Sequence, residues 1–191
     1  VKGGSTQLRG VNSDIVLPSL TDQPDVGEGA LKNPLDYDEV PARSFAPAGN
    51  VAALIPRLRA ASAARVSTNP EFAYIEEDRA RLRSRMDENS VSLNKQARLD
   101  EIESDKARRE NRLAERKGRA KPDIAALEVT LDTVNAPQLQ KVALDKPPKR
   151  NGMEEIMDAE DPSAPDEAEP YVDPVRDESI LIMQDYIRMH G

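Results

Sequence analysis

Large apolar residues are sparse along this chain, and where they recur they do so more often at three- and four-residue steps than at two. Phe72, Ile75, Leu82 and Met86, with Arg79 filling the intervening turn, mark one apolar seam on an otherwise charged stretch, which predicts an amphipathic helix. Asn69-Pro70-Glu71 gives its start: a capping side chain, a preset φ, and a carboxylate in the first turn where the helix dipole favours one. The pattern carries it to Glu88. Ahead of it, Leu58, Ala61, Arg65 and Val66 form the inner stripe of a shorter helix. That helix is placed over Pro56–Ser67, because proline suits the first helical position and costs ~3 kcal/mol in a helix interior. Asn89 to Asn94 breaks the period, with Val91 and Leu93 alternating as in a short extended piece. Asn94 then caps a third helix predicted to reach Lys117 before Gly118 ends it. Leu99, Ile102 and Leu113 are its only large apolar residues, a seam narrow enough for one partner helix. The expected product is an antiparallel helical hairpin whose second arm faces mostly solvent.

Beyond Lys121 the period changes. Leu127, Val129 and Leu131 alternate, Pro137 breaks the run, and Leu139 with Val142 to Leu144 follows, which together read as a β-hairpin. Pro147-Pro148, Pro162, Pro165 and Pro170 among acidic residues read as an extended linker. Asp173-Pro174 restarts a helix as cap plus first residue. Val175, Leu181, Ile182, Met183, Tyr186 and Ile187 are too apolar for a free tail, so this segment is expected to dock on the hairpin or on a core outside these residues. At the other end, Gly3-Gly4-Ser5-Thr6 and Gly10 supply turns, and Ile15-Val16-Leu17, stopped by Pro18, reads as a short buried strand. Thr21 to Pro34, rich in Gly, Pro and Asp, reads as linker and leaves that strand no neighbour. A strand without neighbours, and a first residue Val1 rather than Met, suit a chain that starts inside a domain.

Composition narrows the picture. Charged residues make up 32% of the 191, and the chain holds two Phe, four Tyr and no Trp, so large core-filling side chains are few and a thin core is expected. Zero cysteines leave no disulfide or thiolate metal site, and fit cytosol or periplasm equally. No apolar run approaches the ~20 residues of a membrane span. A net charge of −8 argues against a general nucleic-acid binder. The charge is unevenly spread: residues 95 to 121 carry ten Lys or Arg against six Asp or Glu, whereas residues 151 to 178 carry eleven acidic side chains against Arg176 alone. Either the acidic segment folds over the basic helix, or both are independently solvated runs; screening over ~8 Å favours the second.

Several of these segments resemble one family. Gly3-Gly4-Ser5-Thr6-Gln7, Gly10-Val11 and Asp14-Ile15 ahead of an apolar strand ending at Pro18 are similar to the end of the protease core in the carboxy-terminal processing, or tail-specific, serine proteases. Ser13 stands where that family usually has Pro. Pro56-Arg57-Leu58, Ser62-Ala63-Ala64-Arg65, Asn69-Pro70-Glu71-Phe72, Glu77-Asp78, Val91-Ser92-Leu93-Asn94 and Arg98 follow the order and spacing of its C-terminal helical region. Glu169-Pro170-Tyr171-Val172-Asp173 resembles the acidic stretch before its last helix, while residues 120 to 165 fall outside the resemblance. The resemblance implies a mainly α chain: a helical C-terminal region, made of a helical hairpin plus terminal helix, preceded by the last β-strands of a truncated α/β protease core. The expected division is 1–20 as the end of that core, 21–49 linker, 50–120 helical domain, 121–170 irregular with the hairpin and the acidic linker, and 171–191 terminal helix. It further implies a parent enzyme of the periplasm that cleaves proteins selected by apolar C-termini. The nucleophilic Ser, its Lys base and a PDZ domain would lie upstream of Gly3, so no position here inherits those roles. Expected partners are the catalytic core and PDZ domain of that enzyme and its protein substrates.

Candidate chemistry within the chain is thin, and no residue is assigned a catalytic, cofactor or metal role. His190, the sole histidine, lies one residue from the end and reads as a tail side chain before it reads as a base or ligand. Ser5-Thr6 beside glycines suggests ordinary turn chemistry, since no phosphate-loop lysine accompanies it. Asp158, Glu160 and Asp161 lack the spacing and central Gly of a calcium loop. None of the lysines has the apolar setting that would lower its pKa for a Ser-Lys pair. The reading from another functional class is a charged helical adaptor or scaffold that binds a partner through residues 70–117.

Overall fold

The computed structural model describes residues 3–8, 10–23, 26–44, 46, 51–120, 125–142 and 172–190. Among them are four α-helices, α1 Val51–Val66, α2 Pro70–Glu88, α3 Lys95–Gly118 and α4 Pro174–His190, a 3-10 turn at Glu28–Ala30, and two short strands, β1 Ala126–Glu128 and β2 Gln140–Val142. The mainly helical fold expected from the apolar period is what the chain adopts. It divides into two compact units, Val1–Ser90 with Asp173–Gly191, and Val91–Val172. The two arms of the expected hairpin, α2 and α3, therefore belong to different units.

The caps do what their side chains predict. Asn69 accepts from the Glu71 N–H at 2.9 Å with Pro70 as first helical residue, and at the far end of α2 Asn89 takes the left-handed conformation, φ 42°, while its N–H donates to the Arg85 carbonyl. The Asn94 side chain accepts from Gln96 and Ala97 N–H at 2.8 and 3.2 Å and opens α3. Asp173 accepts from the Arg176 N–H at 2.9 Å and opens α4. Two helix limits differ from expectation. α1 begins at Val51, so Pro56 lies inside it rather than at its first position. Proline at the sixth position removes the N–H that would have bonded the Ala52 carbonyl, a loss of one bond near the helix start. α3 keeps Gly118 helical and stops when Arg119 turns extended, its N–H donating to the Arg116 carbonyl.

In the first unit α1 packs on α4, both returning to the same core from opposite ends of the chain. Leu58 and Ser62 are the buried residues of α1, and Leu54, Ile55, Ala61, Arg65 and Val66 are half-buried, which makes the inner face the predicted one. The seam of α2 is buried at its first turn only: Phe72 is 1% exposed, whereas Leu82 and Met86 are 40% and 42% exposed. Burying Phe72 supplies about 2–3 kcal/mol, a large share of what so thin a core offers.

The opening residues differ from expectation. Ile15-Val16-Leu17 pairs with no strand among the described residues. The one pairing nearby is an isolated antiparallel bridge, Gly4 with Glu39, framed by Ser5 N–H to Asp38 O and Val40 N–H to Gly3 O, both 2.8 Å. Gly3, at φ +85°, is required there: a Cβ would sit 1.9 Å from the Val40 carbonyl oxygen. The apolar run stays extended and unpaired because nothing described supplies a neighbouring edge.

In the second unit β1 and β2 form an antiparallel pair with Leu127 opposite Lys141. The hairpin is shorter than the alternation implied. Thr130 and Thr133 exchange backbone and hydroxyl bonds, Thr130 N–H to Thr133 Oγ1 at 2.8 Å and Thr133 N–H to Thr130 Oγ1 at 3.2 Å. These bonds close a turn and leave Leu131 96% exposed at its tip. Residue 144 of the second arm, the proline-rich acidic linker and the acidic stretch before Asp173 lie outside the described residues.

Candidate functional site

The strongest polar constellation among the described residues joins the two ends of the first unit. Residues 178 and 185, seven apart, fall on one face of α4, two turns from each other. Both are carboxylates, and residue 178 is the one that the helix buries. From α1, Arg65 reaches them with its whole fork: Nε lies 3.1 and 3.0 Å from the two oxygens of Glu178, Nη2 2.8 Å from Oε1, and Nη1 2.7 Å from Asp185 Oδ2. The Glu178 side chain is 2% exposed and that of Asp185 16%, against 30% for Arg65. Arg188 adds a longer contact, 3.7 Å, to Asp185.

A planar guanidinium suits this task because it presents parallel donors to one carboxylate and a third to another, which a lysine ammonium cannot do. The bidentate bonds to Glu178 raise the pKa of Arg65 above its ordinary range, against burial, which opposes the charge; Asp185 adds to the rise. Both oxygens of the buried carboxylate thus meet the guanidinium, and the cluster can fasten one helix to another.

A second polar site is an open cleft of about 560 Å³ lined by Asp22, Gln23, Glu76, Arg79, Ala80 and Arg83. Gln23 donates through Nε2 to the Arg79 carbonyl at 3.3 Å, and Arg79 pairs with Asp22 at 3.3 Å and with Glu76 at 2.7 Å. These contacts tie the linker-like segment after Pro18 to α2. The lining mixes both charge signs and includes no serine, histidine or lysine.

The residues singled out from sequence are dispersed. His190 is exposed at the end of α4, its ring 5.4 Å from that of Tyr186. Ser5 accepts from the Gln7 N–H at 2.9 Å and the Thr6 carbonyl accepts from Gly10 N–H, both ordinary turn contacts. Asp158, Glu160 and Asp161 lie outside the described residues. Among the described residues no three His, Cys, Asp or Glu converge as a metal site, and no helix is long and apolar enough to cross a membrane. Sequence reasoning placed Arg65 on the inner stripe of its helix but did not find its partners. The available signal was a guanidinium on one apolar stripe and two carboxylates at a heptad spacing on another.

Comparison with known proteins bears on the chain as a whole. The family described as the C-terminal domain of tail specific protease matches residues 21–188. A tail-specific protease of Haemophilus influenzae is 36% identical over 119 residues, which cover 61% of this chain and 17% of that protein. The chain therefore spans about a sixth of the length of this curated relative. The match takes in α1 to α3, α4 up to residue 188, the strand pair and the Arg65 cluster.

Proposed function

This chain belongs to the family of C-terminal domains of tail-specific proteases, and from that premise we propose that it is the non-catalytic helical region of a periplasmic serine endopeptidase. That enzyme would select proteins by apolar C-termini and cut them with a Ser-Lys pair carried outside these residues. The observation that carries the reading is the family match across residues 21–188, joined to the resemblance of Gly3–Pro18 to the end of the protease core. On this reading the exposed apolar residues of the first forty, among them Val11 (85%), Val16 (75%), Leu35 (66%) and Val40 (64%), are the face laid against the catalytic remainder. The helical unit behind them helps shape the path by which a substrate reaches the site.

Two observations test it. Purified chain mixed with an unfolded protein substrate should show no serine-dependent cleavage; robust cleavage blocked by a serine-directed inhibitor would overturn the reading. The encoding gene, read on the 5′ side of the Val1 codon, should specify a PDZ-like segment and a Ser-Lys pair. Their absence there would favour the charged helical adaptor instead.

A further inference from the structure

Among the described residues only two other than glycine take a positive φ, Leu8 at 62° and Asn89 at 42°. Asn89 closes α2, where asparagine is at ease in the left-handed region. Leucine is not, because its Cβ crowds the following carbonyl there, and glycine would take the same turn freely. The chain places glycines of positive φ on either side, Gly3 at 85° and Gly10 at 57°, yet keeps leucine at position 8. Such a residue needs a structure that holds it and a use for its side chain. The holding structure lies on the segment that reads as linker. Gly27, at φ 117°, and Gly29 flank Glu28 on the 3-10 turn, and Glu28 Oε2 accepts the Leu8 N–H at 3.1 Å across 20 positions. The Gln7 carboxamide, with its nitrogen turned toward the same carboxylate, donates to it as well. Gly10 N–H closes the turn on the Thr6 carbonyl at 2.9 Å, and the Gly4 bridge to Glu39 fixes its approach. The use is not met inside the described residues: the buried apolar side chains are those of Leu58, Phe72 and Leu113, whereas Leu8 stays 38% exposed.

We propose that Leu8 is an apolar contact with the catalytic remainder of the enzyme, and that Glu28 is the positioning residue that presents it. This inference rests on the protease reading, which puts the catalytic remainder ahead of Gly3; this chain covers 17% of its relative, so most of the surface that could receive Leu8 lies outside it. Glu28 acts through the backbone. Its carboxylate fixes the Leu8 N–H, the N–H fixes φ, and φ sets the direction in which the side chain leaves the turn. The turn precedes the residues matched by the family, 21–188, while Glu28 lies within them. One carboxylate thus couples the helical region to the end of the core that it accompanies.

The test reads activity on the product of the whole gene and stability on the 191-residue chain. With an unfolded protein as substrate, Glu28→Ala should lower kcat/KM by about tenfold or more, the scale on which small misplacements remote from the chemistry act. Glu28→Gln, whose carbonyl oxygen can still accept the Leu8 N–H, should recover most of that loss. Leu8→Asn separates contact from fold. Asparagine suits the left-handed turn, so the thermal midpoint of the chain should hold or rise while kcat/KM of the enzyme falls as far as with Glu28→Ala. A leucine with a structural role alone would move both in the same direction, so a midpoint that falls together with activity overturns the proposal. An active native enzyme whose kcat/KM is unchanged by Leu8→Asn or by Glu28→Ala overturns it as well, and leaves the protease reading standing. A native gene product without serine-dependent cleavage overturns that reading, and this inference with it.

Discussion

Among the described residues, helix α3 shows a run of side-chain bonds made inside its own sequence, whereas the 17-residue α4 takes its place through a guanidinium far upstream. In α3 the Asn94 cap is followed by Gln96 to Asp100 at 2.8 Å, Arg98 with Glu101, Arg108 with Asp105 at 2.8 Å, Lys106 with Glu110 at 4.0 Å and Arg119 with Glu115. Every one spans three or four positions, where helical neighbours meet, and such a pair is worth about 0.2–0.5 kcal/mol on a helix. They support the helix from within, beside the burial of Leu113 at 7% exposure. α4 has its cap and its apolar residues, but the group it buries is a carboxylate, and that is tolerable only while Arg65 faces it. Local pairs make a helix robust to losing any one of them; a single buried pair makes docking all-or-none. The difference is one of redundancy.

The largest break in that comparison comes from Arg65→Leu. Glu178 would keep its burial and lose its counter-charge, a change that costs about 3–5 kcal/mol. Hydrogen exchange should show protection lost in α1 and α4 together while α3 keeps its own. Equal loss in α3 would mean that the two units do not stand on separate contacts. Leu58→Ala follows, at about 2–5 kcal/mol for a buried leucine, again confined to the first unit. Asn94→Ala reverses the target: removing a cap costs about 0.5–2 kcal/mol, felt as fraying of the first turn of α3, with the α1–α4 contact unchanged. Chemical denaturation followed by far-UV circular dichroism ranks the three.

The same distinction explains what could be read in advance. Helix limits set by caps were legible, because Asn69-Pro70, Asn94 and Asp173-Pro174 act on N–H groups two or three residues away. The start of α1 was not, since the usual preference of proline for a first position gave way to one more turn ahead of Pro56. Leu131 fitted a strand alternation, yet the Thr130 and Thr133 hydroxyls captured the backbone into a turn. The Arg65 cluster was half legible: its inward face followed from helical period, whereas its partners sit 113 and 120 positions away and no local rule reaches them. Residues 15–17 carried the apolar run of a strand without the edge that would make them one.

The smallest expected effect sharpens the comparison most, because it separates the chemistry of Arg65 from mere charge. The pKa of Arg65 is raised in the folded chain, chiefly by Glu178, so the stability it contributes is complete below its unfolded value and is lost only as pH climbs through the still higher folded one. Both lie beyond the alkaline range in which a protein is normally studied. Between about pH 7 and about pH 10 the denaturation midpoint of the first unit should therefore not move on account of this cluster. With Arg65→Lys the outcome changes in two ways. The midpoint falls at neutral pH because an ammonium cannot serve both oxygens of Glu178 and Asp185 from one plane. It then falls further as pH rises above about 10, where a lysine begins to lose its proton. A native chain whose midpoint drops across that range by the same amount as the lysine variant would show that another group governs docking. A lysine variant as insensitive to alkali as the native chain would show that Arg65 is not what holds α4.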